Sequence, residues 1–209
     1  MHPLRSSTAV IGSLVAVLAT GASAAHADAT SITDKRSDVV LDGRVGGDRT
    51  AEQKSVARGL DATSFRLNHG AKYVSLEVTF AHLQKPTGDL NYGASFVLTD
   101  GRSADEGGVR YLAHGAFTGD APAFDVYDSE GGHLCGADSP SGIGLTPTTV
   151  YGTNGYVYVQ MPRVCVDVVS RLRATATVAA HSPSAKDRYQ EFVSSTKYKT
   201  AKRTAYVKP

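Results

Sequence analysis

The stretch Ser64–Phe80, SFRLNHGAKYVSLEVTF, decides the fold class of this 209-residue chain. Both of its halves place apolar side chains at every second position, and a period of two with one apolar face is typical of a half-buried β-strand. The connection Asn68–Ala71 contains Asn and Gly, which tolerate positive φ, so the stretch is predicted to form a β-hairpin. The alternating apolar residues are Phe65, Leu67, Val74, Leu76, Val78 and Phe80.

Further short segments have strand features and are separated by turn signals rich in Gly, Asn and Asp. Many short strands punctuated in this way are typical of a sandwich or a barrel. We therefore predict an all-β fold, a single-domain antiparallel β-sandwich of jelly-roll or immunoglobulin-like type. The segments are 92–99, 109–115, 123–127, 148–151, 156–161 and 171–180.

One stretch competes for helix. Thr50 and Gln53 have the spacing of a capping box, and Gly59 is suited to end a helix. The apolar face between them is thin, so a helix of about two turns at most is expected.

The first residues have the pattern of a secretory signal. Arg5 precedes an apolar run, Ala9–Ala19, and small residues follow up to Ala25–Ala27. The run falls short of the ~20 residues needed to span a membrane, so no membrane span is predicted. Residues 1–27 are assigned to a signal peptide, 28–59 to an irregular N-terminal segment and 60–209 to the β-sandwich domain. The mature chain is predicted to be secreted and extracellular.

Charge is nearly balanced over the whole chain, with a net charge of +2. This total does not favour nucleic acid as a partner. The C-terminal segment 186–209 is different, because it has seven basic residues and two acidic ones. Such an end is commonly solvated, but contact with an anionic polymer is an alternative. Interleaved aromatic residues predict that part of it packs as a last strand.

The two cysteines, Cys135 and Cys165, are predicted to form a disulfide, because an exported protein meets an oxidising compartment. Neither is flanked by a local signature of a nucleophile. His133 would share a strand face with Cys135, but one His-x-Cys pair supplies too few ligands for a tetrahedral metal site. A closed loop of thirty residues would stabilise the fold by about 3.6 kcal/mol on the chain-entropy model.

Acidic residues cluster near the N-terminus of the mature chain, and carboxylate oxygens suit calcium. Asp34, Asp38 and Asp42 come at every fourth position, which is not the spacing of an EF-hand loop. Turn formation and solvation are the alternative roles for these residues and for Asp48 and Asp61. The sequence leaves both readings open and assigns no other cofactor.

No catalytic residue is assigned. The nucleophile elbow Gly-x-Ser-x-Gly is absent from the sequence. Glycoside chemistry needs two carboxylates that face each other across a cleft, and Glu77 and Asp125 lie on predicted strands from which they could point outward. Any β protein with 20 acidic residues offers such pairs, so the pair assigns no activity. The best candidates for stacking on a sugar are Tyr156 and Tyr158, which share one strand face, although packing on a neighbouring strand is the commoner role. Five histidines of the mature chain lack metal-ligand spacing: His69, placed in the predicted turn, and His82, His114, His133 and His181.

Three motifs resemble small exported proteins of unknown function from high-GC Gram-positive bacteria. They are the Asp-rich Asp34–Asp38, the segment Gly59–Phe80 with Asp61 near its start, and Met161–Cys165. The resemblance implies a β-sandwich core and brings no catalytic residues with it. The chain departs from the group in a lengthened stretch, 43–58, which leaves the N-terminal path open.

The chain is also distantly similar to DOMON-type sandwiches, some of which bind haem or sugar. Haem binding in that group uses axial Met and His, and Met161 is the one methionine that follows the signal segment. The haem function is therefore not carried over.

The sequence favours a non-catalytic exported binding module whose partner is a glycan or an anionic cell-wall polymer. The alternative from another class is a small secreted hydrolase that uses carboxylates. A third is an inhibitor that acts through an exposed loop, Ser139–Pro147.

Overall fold

The structure is a computed structural model that describes residues 28–34, 38–41, 44–45, 48–88, 90–102, 104–106, 108–119, 121–166, 169–181, 187–193 and 202–209. The predicted signal peptide, Asp42 and, in the basic C-terminal segment, residues 186 and 194–201 lie outside these residues.

The described part of the chain is mostly β-strand, with one α-helix, α1 (Ala51–Leu60), and 3₁₀ turns at Ala104–Glu106 and Arg163–Val166. The strands are β1 (Asp28–Thr33), β2 (Val40–Leu41), β3 (Arg44–Val45), β4 (Ala62–His69), β5 (Tyr73–Phe80), β6 (His82–Leu83), β7 (Asn91–Thr99), β8 (Arg110–Ala116), β9 (Ala123–Tyr127), β10 (His133–Cys135), β11 (Thr148–Val150), β12 (Gly152–Thr153), β13 (Tyr156–Pro162), β14 (Arg173–His181) and β15 (Arg188–Phe192).

The strands form a five-stranded sheet in the order β1-β4-β5-β13-β11 and an eight-stranded sheet in the order β10-β9-β8-β7-β14-β15-β2-β3. Every pairing among the described strands is antiparallel. Strands β12 and β6 form a separate two-stranded sheet. The prediction of an antiparallel, all-β chain is therefore confirmed.

The inward-facing residues of both sheets share one core. Phe65 of the five-stranded sheet stacks on Phe96 of the eight-stranded sheet with ring centroids 5.6 Å apart, and Phe96 in turn contacts Phe124 at 6.0 Å. The hairpin predicted over Ser64–Phe80 is confirmed as β4 and β5, closed by a hydrogen bond from the Gly70 N–H to the Tyr73 carbonyl at 2.8 Å. Alternation in the sequence thus marks the face that each strand buries.

The helix begins as its capping box predicts. The Thr50 side chain accepts a hydrogen bond from the Gln53 N–H, and the Gln53 side chain accepts one from the Thr50 N–H. The helix then passes Gly59, where it was expected to end, and continues to Leu60. Gly59 is buried, and a side chain there would approach the Gln84 Cβ to 3.1 Å, so the glycine serves close packing rather than termination.

The N-terminal segment 28–59, expected to be irregular, contains regular structure. All six residues of β1 pair with β4, and β2 pairs with β15. Strand β1 was not predicted because only Thr30 and Ile32 are partly buried, and two such residues do not give a clear alternation of apolar and polar side chains. Strand β1 is at the edge of the five-stranded sheet, whereas β2, the next strand in the chain, lies next to the last strand of the eight-stranded sheet. We call this side of the molecule the crossing edge.

The predicted disulfide is confirmed. Cys135 and Cys165 are bonded with a Cα–Cα distance of 5.5 Å, and both are buried. Cys135 ends the outermost strand of the eight-stranded sheet, and Cys165 lies in the turn that follows β13 of the five-stranded sheet. The bond therefore joins the two sheets on the side that we call the disulfide edge.

The described end of the chain packs onto the sheets. Strand β15 pairs with β14, as the interleaved aromatic residues predicted, and Val207 bridges Leu172. The guanidinium groups of Arg171 and Arg173 lie 4.6 and 4.7 Å from the centre of the Tyr206 ring. Among the described residues, no helix has the length and apolar character needed to cross a membrane.

Candidate functional site

Three acidic side chains meet at the crossing edge, and we call them the carboxylate cluster: Asp34, Asp38 and Glu191. Asp34 directly follows β1 and donates its N–H to the Thr63 carbonyl at 2.8 Å. Asp38 precedes β2 and is 4% exposed. Glu191 comes from β15 and is fully buried. The cluster therefore gathers groups from the segment between the two sheets and from a strand near the opposite end of the chain.

Glu191 lies on the core side of its strand. Tyr189 and Val193, two positions before and after it, are buried on the same face, and its cross-strand partner is Val178. An acidic residue at such a position is unusual, since a buried charge is costly unless it is paired. The position of Glu191 therefore requires a compensating charge or a proton.

One carboxylate oxygen from each member of the cluster lies within 4.8 Å of one from each of the others. Among the described residues, no hydrogen-bond donor reaches either carboxylate oxygen of Glu191 or of Asp38. Burial, together with the neighbouring carboxyl groups of Asp38 and Asp34, raises the pKa of Glu191 to about 11. Two carboxylates offer each other only acceptors, so a hydrogen bond between them forms only when one holds a proton.

The structure brings together two of the residues that the sequence proposed as calcium ligands, Asp34 and Asp38. Asp48 is exposed, and Asp61 ends helix α1. Sequence reasoning missed Glu191, which is far from the aspartates in the chain. The signal that would have found it is local, because Tyr189, Glu191 and Val193 alternate in phase and put an acid on the apolar face of a strand.

A second feature is an open depression of about 400 Å³ on the outward face of the eight-stranded sheet, which we call the outer groove. Its floor consists of small residues, with Gly93 opposite Ala179 and Ser95 opposite Thr177 on β7 and β14. A side chain at Gly93 would come within 2.9 Å of the Gly115 carbonyl oxygen, so glycine keeps the floor low. Polar side chains also line the groove: Asn91, His114, His181 and Gln190.

A ladder of three stacked rings stands beside the outer groove. His114 stacks on Tyr127 at 5.4 Å, and Tyr127 stacks on His133 at 4.7 Å. The His133 Nε2 lies 3.1 Å from the Asp125 carboxylate. Because a histidine covers each face of Tyr127, a sugar ring cannot stack on this tyrosine. The ring nitrogens and the hydroxyl of the three side chains remain as hydrogen-bonding groups.

The sequence placed His133 on the same face as Cys135, and this is wrong. The register between β9 and β10 shifts between these two residues, so His133 pairs with Tyr127 and Cys135 pairs with Val126. His133 is consequently half-buried on the outer side, whereas Cys135 is buried in the core. A β-bulge of this kind turns neighbouring side chains to different faces.

The carboxylates considered for glycoside chemistry are not brought together. Glu77 lies on the outward face of the five-stranded sheet, where it pairs with Tyr158. Asp125 lies on the outward face of the eight-stranded sheet, where it pairs with His114. The two residues therefore face away from each other across the core.

Tyr156 and Tyr158 share one outward face, as predicted, but on the five-stranded sheet, so they lie away from the outer groove. The Tyr158 hydroxyl accepts a hydrogen bond from the Gln160 side chain at 3.1 Å. The rings are half-buried among strand neighbours, which fits cross-strand packing.

His69, expected in a turn, is the buried last residue of β4, with its Nδ1 3.3 Å from the Val207 carbonyl oxygen. Burial lowers the pKa of His69, and the nearby Arg163 lowers it further. His82 contacts the Thr153 hydroxyl at 3.3 Å. Both contacts are structural, since they join separate segments of the chain.

The loop Ser139–Pro147, considered as an inhibitory loop, packs against the sheet. Leu145 is buried and bridges Phe124, and the Gly136 N–H donates to the Ile143 carbonyl at 2.9 Å. The loop is therefore anchored on strand β9 through Leu145, while its tip, Pro140–Gly142, is exposed.

Comparison with protein-family models, with curated proteins and with solved structures found no match to this chain.

Proposed function

We propose that the protein is an exported, two-layer β-sandwich that binds a glycan in the outer groove and catalyses no reaction. Export is supported by the signal pattern of residues 1–27 and by the disulfide, which is typical of oxidising compartments. The sandwich is supported by the shared core of the two sheets, in which Phe65 contacts Phe96.

The observation that carries the proposal is the shape and chemistry of the outer groove. Its volume of about 400 Å³ is within the range of small-ligand sites. The low floor of Gly93 and Ala179 offers a flat apolar surface to the C–H face of a sugar ring. The hydroxyl, amide and imidazole groups around it both donate and accept hydrogen bonds, which suits the hydroxyls of a sugar.

The lining favours an uncharged glycan over an anionic wall polymer. None of the described residues that line the groove is Lys or Arg, and none is Asp or Glu; its two histidines are His114 and His181. An anionic polymer would be held by permanent positive charge, and its binding would weaken with salt. Binding through hydrogen bonds and apolar contact to a neutral sugar would depend little on salt.

The hydrolase alternative has less support. Glycoside hydrolysis needs two carboxylates that face each other across the scissile bond. Glu77 and Asp125 lie on opposite outer faces, and among the described residues no Asp or Glu lines the outer groove.

The test is a retention assay of the purified protein on insoluble cellulose, chitin and xylan, with teichoic acid beads as the anionic probe. We expect retention on a neutral polysaccharide that does not change between low and high salt. Ala179→Tyr, which fills the groove opposite Gly93, should reduce retention at least about tenfold. Ser75→Tyr, on the outward face of the five-stranded sheet, is the matched control and should bind as the wild type does.

Several outcomes contradict the proposal. Failure of the wild type to bind any of the polysaccharides removes glycan binding. Equal retention of both folded variants removes the groove as the site. Salt-sensitive retention on teichoic acid alone replaces the neutral glycan with an anionic polymer.

A further inference from the structure

We propose that Asp34, Asp38 and Glu191 bind a calcium ion that fastens the crossing edge of the molecule. The site is separate from the outer groove and does not depend on the proposed glycan binding.

Glu191 is buried without a hydrogen-bond partner for its carboxylate among the described residues. The residue is fully buried, and its two carboxylate oxygens have no hydrogen-bond donor among the described residues. Asp38, 4% exposed, is in the same situation. Two acids that are withdrawn from water, side by side, need a positive charge or a proton between them.

The spacing of the carboxylate oxygens also suits a single calcium ion. Calcium binds oxygen at about 2.3–2.6 Å, so two oxygens on one ion are separated by at most roughly 5 Å. The three carboxylate oxygens lie within 4.8 Å of one another, which satisfies this limit. A single ion can therefore contact all three members of the cluster.

The chemistry of the ligands selects the ion. Zinc prefers His and Cys, and neither residue type belongs to the cluster. Magnesium needs near-ideal octahedral geometry and keeps several waters, which a fully buried Glu191 disfavours. Calcium accepts carboxylates in flexible geometry and completes its shell of six to eight oxygens with backbone carbonyls and water.

The position of the cluster explains what the ion would do. Asp34 follows the edge strand of the five-stranded sheet, and Glu191 belongs to the eight-stranded sheet. Asp38 leads into β2, which pairs with β15 through Val40 and Gln190. One ion would thus join the two sheets and the segment that passes between them.

The rival explanation is a cluster held together by shared protons. It requires that one or more of the three acids stay protonated at neutral pH, and the raised pKa of Glu191 is compatible with that. The two explanations differ in their response to calcium, because a proton-sharing cluster gains nothing from the ion.

The test uses the purified protein, treated with EDTA and transferred to metal-free buffer at pH 7.5. Calorimetric titration with CaCl₂ should give one bound ion per chain, and saturating calcium should raise the melting temperature by about 5 °C or more. MgCl₂ and ZnCl₂ at the same concentration should raise it less.

Variants of the carboxylate cluster distinguish binding of a calcium ion from sharing of protons. Asp38→Asn and Glu191→Gln should weaken calcium binding at least about tenfold. In EDTA, Glu191→Gln should melt at or above the wild type, since it removes a buried charge. In calcium it should lose the gain that the wild type shows. Glu130→Gln, in the exposed turn after β9, is the control and should respond to calcium as the wild type does.

The proposal is overturned if the wild type neither binds calcium nor gains stability from it. It is also overturned if the folded variants bind calcium as tightly as the wild type, because the ion would then be elsewhere. If the variants fail to fold, the wild-type titration decides the question. A larger gain with magnesium or zinc than with calcium contradicts the choice of ion.

Discussion

The two edges of this molecule are closed by different chemistry. At the disulfide edge, a covalent bond joins Cys135 of β10 to Cys165, which follows β13. At the crossing edge, the chain itself passes between the sheets, and three acids lie at the passage. The first closure works whenever the thiols are oxidised. The second stabilises the fold only when something neutralises its charge.

The stabilisation at the two edges of one core should therefore depend on different solution conditions. A disulfide acts mainly by restricting the unfolded chain, so its effect does not depend on pH or on metal ions. A buried carboxylate cluster acts through the folded state, where unpaired charge is costly. Redox conditions should therefore control one edge and calcium the other.

Removal of the disulfide should give the largest effect. The double variant Cys135→Ala with Cys165→Ala should lose about 3.6 kcal/mol of unfolding free energy, the chain-entropy value for this loop. Urea denaturation followed by circular dichroism measures the loss. Reductant should destabilise the wild type and leave the double variant unchanged. A loss below about 1 kcal/mol would contradict the prediction that the disulfide contributes more to the unfolding free energy than the crossing edge does.

Removal of calcium should give the next effect. With calcium at 100 times its dissociation constant, chelation should lower the unfolding free energy by about 2.7 kcal/mol. Because the two edges are distant, this loss should add to that of the disulfide variant within about 0.5 kcal/mol. Urea denaturation of both proteins, with and without EDTA, measures the sum. Strong non-additivity would mean that the two edges are coupled.

Acid should weaken the five-stranded sheet through His69, at the end of β4 that pairs with Asp28. Burial lowers the pKa of His69 in the folded protein, so the unfolded chain takes up its proton first as the pH falls. The stability that His69 contributes is present above its unfolded pKa of about 6.5 and is lost below it, by at most about 1.4 kcal/mol per pH unit. Urea denaturation between pH 7.5 and 5, in EDTA, checks the slope.

The variant His69→Gln isolates this contribution, since it lacks the titrating ring and retains the carboxylate cluster. Its stability should fall less steeply than that of the wild type over the same pH range. Parallel slopes for the two proteins would contradict the assignment.

Loss of the helix cap should have the smallest effect. Thr50→Ala removes the side chain that accepts from the Gln53 N–H, and it should cost about 1 kcal/mol. The melting temperature should fall by a few degrees. Thr148→Ala, at an exposed position of edge strand β11, is the control and should change it less. Equal decreases in the melting temperatures of the two variants would show that the Thr50 cap does not contribute specifically to stability.

Much of the fold was predictable because its signals are local. The hairpin of β4 and β5 follows from alternation over seventeen residues, and the helix start follows from Thr50 and Gln53. Strand β1 was missed because its six residues have little apolar character, and its pairing with β4 is what makes it a strand. The face of His133 was missed because a bulge is a property of paired strands.

The candidate sites were less predictable. Asp34 and Asp38 were proposed as calcium ligands, whereas Glu191 joins them only because β15 pairs next to β2. The outer groove likewise depends on the placement of β7 beside β14, which sets Gly93 opposite Ala179. No single segment contains either arrangement.

The sequence by itself determined most of the longer strands, the faces that they bury and the pairing of the two cysteines, because period, turn chemistry and cysteine number act within short segments or on the whole composition. Only the tertiary structure decided which strands are neighbours, and hence that an acid from β15 meets two aspartates at the crossing edge. The reason is that strand order depends on the packing of the entire core, and no short segment carries that information.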